Sequence, residues 1–115
     1  MAFGMIVQLP VSVAFGTDEE FDLRIRLERE LGQALAEAGA GECAGGEIDT
    51  SHLKLYLEAI PDPQPALDAA KAVLEQADVL GRSVVVLETR NEEDPDDRDW
   101  KVLWPPNYSG AFRVA

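Results

Sequence analysis

Two side chains have the softness to ligate a transition metal or to run thiol–imidazole chemistry, Cys43 and His52, and the chain holds one of each type. A structural zinc site takes four ligands of that kind, so these two cannot build one. Nucleophilic catalysis through Cys43 with His52 as its base needs an oriented pair and an oxyanion donor. The glycines around Cys43 carry N–H groups for that purpose, but a tight turn accounts for them more simply. Gly45-Gly46 is not a phosphate loop, because the GxxxxGK[ST] spacing and any nearby Lys or Arg are missing. The acidic run Glu92, Glu93, Asp94, Asp96, Asp97 and Asp99 offers oxygen ligands of the kind calcium takes. It lacks the D-x-D-x-D-G order with a glutamate at position twelve, and Pro95 and Arg98 oppose a wrapped loop. A solvated loop that keeps a sheet edge from aggregating is the favoured reading. No cofactor or metal is expected. An enzyme would need a cleft in which His52 or paired carboxylates face a second titratable group.

Charge narrows the partners. Ten Lys and Arg against 22 Asp and Glu give a net charge of −12 and a pI near 4.3. Phosphate backbones and anionic membrane surfaces repel such a surface, so neither nucleic acid nor membrane is expected, and a basic protein is. A single cysteine excludes an intrachain disulfide. The first residues have no basic region ahead of their apolar run, which Gln8 and Pro10 interrupt, so a signal peptide or membrane span is not expected and a cytoplasmic setting is the default.

The elements that must position these groups begin with His52 to Ile60, where strict alternation puts Leu53, Leu55, Leu57 and Ala59 on one face and His52, Lys54, Tyr56 and Glu58 on the other. Met5, Val7, Leu9, Val11, Val13 and Phe15 predict an earlier strand, with Pro10 either where one side is unpaired or at a bulge that splits the run, so that the paired part lies on one side of it or bulges there. Thr17 and Glu20 have the spacing of a capping box. Phe21 to Leu27 alternates like a strand, but Glu20–Arg24 and Asp22–Arg26 are helix-supporting pairs, each contributing about 0.2–0.5 kcal/mol. Leu27, Leu31, Ala34, Leu35 and Ala38 continue at helical spacing to Gly39. The glycine-rich 41–49 segment predicts a brief strand in a hairpin with 52–60. Asp62 and Pro63 open a second helix with Leu67, Ala70, Leu74 and Ala77 inward and Gly81 as its terminator. Ser83 to Glu88 is a β-branched strand, and Trp100, Val102 and Trp104 alternate as a last one.

Strand, helix, strand, strand, helix, strand is the order of the ferredoxin-like βαββαβ sandwich, an α+β fold with two helices on one face of an antiparallel sheet. The whole chain, 1–115, is expected to be one domain with an acidic loop at 91–99 and an extra strand and aromatic tail at 100–115. The face bearing Lys54, Tyr56 and Glu58 is expected to be left uncovered, as wetted sheet or as a dimer or partner surface. Trp100, Trp104, Tyr108 and Phe112 are expected either to pack back on the domain or to join a contact surface.

Gly41-Glu42-Cys43-Ala44-Gly45-Gly46-Glu47-Ile48, Leu55-Tyr56-Leu57, the Asp62-Pro63 helix start and Val102-Leu103-Trp104-Pro105 resemble a group of small, acidic, uncharacterised bacterial proteins, over most of residues 25–105. The resemblance implies a ferredoxin-like fold and a bacterial cytoplasm, and it carries over no catalytic residue. Size and charge are also similar to those of immunity proteins that neutralise basic toxins. The expectation is a non-catalytic, acidic protein-binding module, immunity- or inhibitor-like, that meets a basic partner through Glu92 to Asp99, Trp100 and Trp104. The alternatives are a homodimeric small-ligand-binding regulatory domain, and a small enzyme.

Overall fold

A computed structural model describes residues 3–90, 93 and 98–106. Its elements are β1 (Phe3–Pro10), α1 (Asp18–Ala38), β2 (Glu42–Ile48), β3 (His52–Ile60), α2 (Pro63–Gln76), a 3-10 turn (Leu80–Arg82), β4 (Val84–Arg90) and β5 (Arg98–Trp104). The strands form one sheet in the order β2-β3-β1-β4-β5, every neighbouring pair antiparallel. The first four have the ferredoxin-like layout, and β5 extends it beyond β4.

Local chemistry sets most of the boundaries. Thr17 and Glu20 form both halves of a capping box at the start of α1, and Gly39, at φ 61, closes its end. Asp62 caps α2 by accepting from the Gln64 N–H, with Pro63 at the first helical position. Leu27, Leu31 and Leu35 of α1 and Ala66, Ala70, Val73 and Leu74 of α2 pack on Met5, Val7, Leu9, Leu53, Leu55, Leu57 and Val85, so both helices cover one sheet face.

One local expectation is met and three are corrected. First, β1 stops at Pro10, so its paired part lies on one side of the proline. Pairing with β4 ends at Gln8 opposite Val84, so the proline has no ladder bond to lose on that side. Second, Ala59 does not face the helices. A register shift against Phe3–Met5 leaves Ala59 exposed at φ 55, and Ile60 takes the buried place. Third, Gly45 and Gly46 lie within β2 beside a second register shift, and the hairpin turn falls at Asp49–His52, where the Asp49 N–H donates to the His52 carbonyl. A Cβ on Gly46 would stand 2.7 Å from the Lys54 carbonyl and 2.9 Å from Glu28 Oε1, so this glycine lets α1 lie close over the hairpin. Fourth, α2 ends at Gln76, with Asp78 rather than Gly81 in the left-handed region.

Gly41 has φ 147, and a Cβ there would meet Ile60 Cγ1 at 2.8 Å and the Glu58 carbonyl at 2.9 Å. Gly81 has open space around it. Chemical denaturation is therefore expected to show Gly41→Ala destabilising by about 2–4 kcal/mol and Gly81→Ala within about 0.5 kcal/mol of the parent.

Candidate functional site

The sheet face away from the helices is ordered in cross-strand rows, because registered partners in a sheet share a side. One row runs Glu47, Lys54, Gln8, Val84, and the next Tyr56, Ile6, Val86, Val102. This face is not open at its centre: Ile6 is 3% exposed, Val86 0%, Lys54 2% and Gln8 8%. The expectation of an uncovered, wetted face is thus corrected there. Alternation identifies the side on which a residue lies, but not whether that side is covered. Beside the bulge, Phe3, Gly4, Tyr56, Glu58, Ala59 and Glu88 line a shallow cleft of about 300 Å³.

Lys54 is held by one carboxylate. Asp49 Oδ2 lies 3.0 Å from Lys54 Nζ, while Asp49 Oδ1 accepts the backbone N–H groups of Ser51 and His52, each at 2.8 Å. Those two backbone bonds first, then the lysine, hold the Asp49 carboxyl well below the usual carboxylate range. Tyr56 donates its hydroxyl to Glu47 Oε1 at 2.5 Å. Burial, followed by that bond and the charges of Glu47 and Asp49, pushes the phenol up to about 12. Lys54 and Tyr56 are therefore engaged within the chain, and Glu58 is the exposed member of that set.

The remaining sequence candidates are dispersed. Cys43 pairs with Leu57 on the helix side, and His52 stands at the other end of β3, on the opposite side and about 17 Å along the strand. Burial raises the thiol of Cys43, which disfavours the thiolate. Among the described residues no three His, Cys, Asp or Glu gather as a metal site, and no helix is long and apolar enough to cross a membrane. Glu92, Asp94, Asp96, Asp97, Tyr108 and Phe112 lie outside the described residues; Glu93 is exposed, and Asp99 is exposed within β5 rather than in a loop. The tryptophans occupy opposite faces. Trp100 pairs with Glu88 on the side away from the helices. Trp104 donates its indole N–H to the Leu80 carbonyl at 3.1 Å, with Lys71 Nζ 4.4 Å from its ring centroid.

An exposed apolar group lies elsewhere, between β1 and the first turns of α1. Val13, Phe15, Phe21 and Ile25 are 52%, 67%, 49% and 45% exposed. The 11–17 loop that carries the first two is braced. Glu20 accepts from the Thr17 N–H at 2.9 Å and from both the N–H and hydroxyl of Ser12 at 3.1 Å, which keep its carboxyl below its ordinary range. The Val11 N–H donates to the Ser51 carbonyl and the Phe15 N–H to the Asp49 carbonyl, at 3.1 and 3.0 Å. Phe15 is thereby kept at φ 61, a costly conformation for a bulky side chain. The sequence carried a signal for this group. Apolar residues alternating from Phe21 to Leu27 inside a helix cannot all face the core, and Leu23 and Leu27 take the inward places.

Comparison with known protein families, curated proteins and solved structures found no match for the chain.

Removing the Asp49 charge strands a buried ammonium, whereas removing the ammonium leaves Asp49 its backbone partners. Urea titration is therefore expected to show Asp49→Asn destabilising by about 2–3 kcal/mol and Lys54→Met by less than about 1 kcal/mol. Because the folded-state pKa of Asp49 is depressed, its contribution is present above the unfolded value near 4 and fades as pH falls below it, a slope that Asp49→Asn should flatten. Tyr56 is raised instead, so its contribution is present below about pH 10 and fades as pH climbs towards 12; Tyr56→Phe should remove that alkaline slope.

Proposed function

We propose that the protein is a non-catalytic, acidic protein-binding module, immunity- or inhibitor-like in manner, that meets a basic partner through the 11–17 loop and the outer face of the start of α1. The observation that carries this reading is the grouping of Val13, Phe15, Phe21 and Ile25, all large and exposed, within thirteen residues of one another. Large apolar side chains left exposed in one short stretch, with polar residues among them, are characteristic of contact surfaces. Asp18, Glu19 and Asp22 stand among them, exposed and without an ion pair among the described residues. Arg26 is engaged by Glu30 one turn on, and Arg24 by Glu28 while its guanidinium lies over one side of the Phe21 ring, 5.0 Å from the centroid. Carboxylates are thus free to meet a cation at this surface, and the net charge of −12 favours a basic protein over any polyanion.

The bracing of the loop supports the same reading. A contact residue ordered before binding loses less conformational entropy on association. Phe15 is strained and its N–H ties the loop to Asp49, while its side chain fills no core. The surface expected from the sequence is served less well. Lys54 and Tyr56 already have partners, and Trp104 packs against the Leu80 turn.

Affinity capture from host lysate, at low and at moderate salt, with wild type and Phe15→Ser/Phe21→Ser as baits, tests the proposal. Wild type is expected to retain a basic protein whose recovery falls with salt, and the variant to recover about tenfold less of it. Equal recovery by both baits, or no salt-sensitive basic protein with either, contradicts it.

A further inference from the structure

We infer that the partner element received by α1 is a basic amphipathic helix, read by two parallel strips on the outer face of the helix; this rests on the protein-binding reading above. Phe21 and Ile25 are four residues apart, as are Asp18 and Asp22. At 3.6 residues per turn each pair forms a strip about 6 Å long, and the two strips run side by side. Leu27, Leu31 and Leu35 occupy the buried face, opposite the anionic strip and about 100° round the helix from the apolar one. The first strip is apolar and the second anionic. Arg29, exposed and without an ion pair among the described residues, bounds the anionic strip about two turns beyond Asp22.

Backbone chemistry separates a helical partner element from an extended one. The main-chain groups of α1 beyond its first turn are engaged in its own ladder, and the Thr17–Glu20 capping box satisfies donors at its start. A strand laid along this face would find no main-chain partner, and its own N–H and C=O groups would be buried unsatisfied. A helix arrives with those groups already bonded. It also repeats side chains at the i,i+4 interval that the two strips present, as ridges packing into grooves require. The complementary sequence has apolar residues at i,i+4 with Lys or Arg beside them.

Three other features of the surface do not specify a partner. The cleft at Tyr56, Glu58 and Glu88 is shallow and flanked by carboxylates, Cys43 is a lone and deprotonation-resistant thiol, and the groove between Glu30, Glu37 and Gln76 is a bare acidic cluster.

The test uses a defined probe, a fluorescent 18-residue Lys/Leu peptide patterned as an amphipathic helix, with a scrambled peptide of identical composition as its control. Anisotropy titrations would compare wild type, Phe21→Ser/Ile25→Ser, Asp18→Asn/Asp22→Asn and the remote exposed pair Glu42→Gln/Glu75→Gln. All of these positions are at the surface, and circular dichroism verifies that each variant is folded. The patterned peptide should bind wild type about tenfold more tightly than the apolar-strip variant and about threefold more tightly than the anionic-strip variant, with little change for the remote pair. Equal binding of the scrambled peptide, an equal loss with the remote pair, or no loss with the apolar-strip variant overturns the inference. Should the peptide fail while lysate capture still depends on Phe15 and Phe21, the helical element is wrong and the protein-binding reading stands.

Discussion

Asp49 holds three parts of the molecule in register at once. Its carboxylate closes the β2–β3 turn by accepting the Ser51 and His52 N–H groups, and its other oxygen neutralises buried Lys54. Its main-chain carbonyl accepts the N–H of Phe15. A single residue therefore couples the hairpin, the polar row across the sheet and the loop that displays the apolar group. Each bond alone is worth on the order of 1 kcal/mol. Their joint effect is larger, because losing the carboxylate would leave a lysine charge in a site with little water.

The distribution of charge follows from the same economy. Carboxylates that structure the chain are occupied: Glu20 braces the 11–17 loop, Glu28 and Glu30 engage arginines, and Asp62 caps α2. Of those left over at the start of α1, Asp18 and Glu19 lie in its first turn and favour the positive end of the helix dipole, so a stabilising arrangement and an anionic contact surface coincide there. The excess of acid is then compatible with the fold rather than a burden on it.

The parts of the fold that were legible are those encoded by neighbours in sequence. The Thr17–Glu20 box, Gly39 and Asp62-Pro63 mark helix ends through contacts within four residues, and alternation through Leu53, Leu55 and Leu57 fixes which side of β3 meets the helices. What was not legible depends on partners distant in the chain. The burial of Lys54, Ile6 and Val86 on the face away from the helices is not set by alternation within any one strand, and Ala59 yields its place to Ile60 because of how β1 pairs. The glycines of β2 resemble a turn in isolation, yet one of them serves the approach of α1. For the site, the alternation from Phe21 to Leu27 holds the information, but in the sequence alone it is an ambiguity between strand and helix and gives the outward residues no role. Val13 and Phe15 fit a strand pattern that Pro10 ends.

Pre-ordering of an exposed aromatic is the central claim, and residue-resolved amide hydrogen exchange of the free protein tests it most directly. The Phe15 N–H, bonded to Asp49 beneath an exposed side chain, is predicted to exchange on the timescale of the β3 strand amides. Exchange of the Phe15 amide at the rate of an unstructured peptide, with the strand amides still protected, would contradict the account.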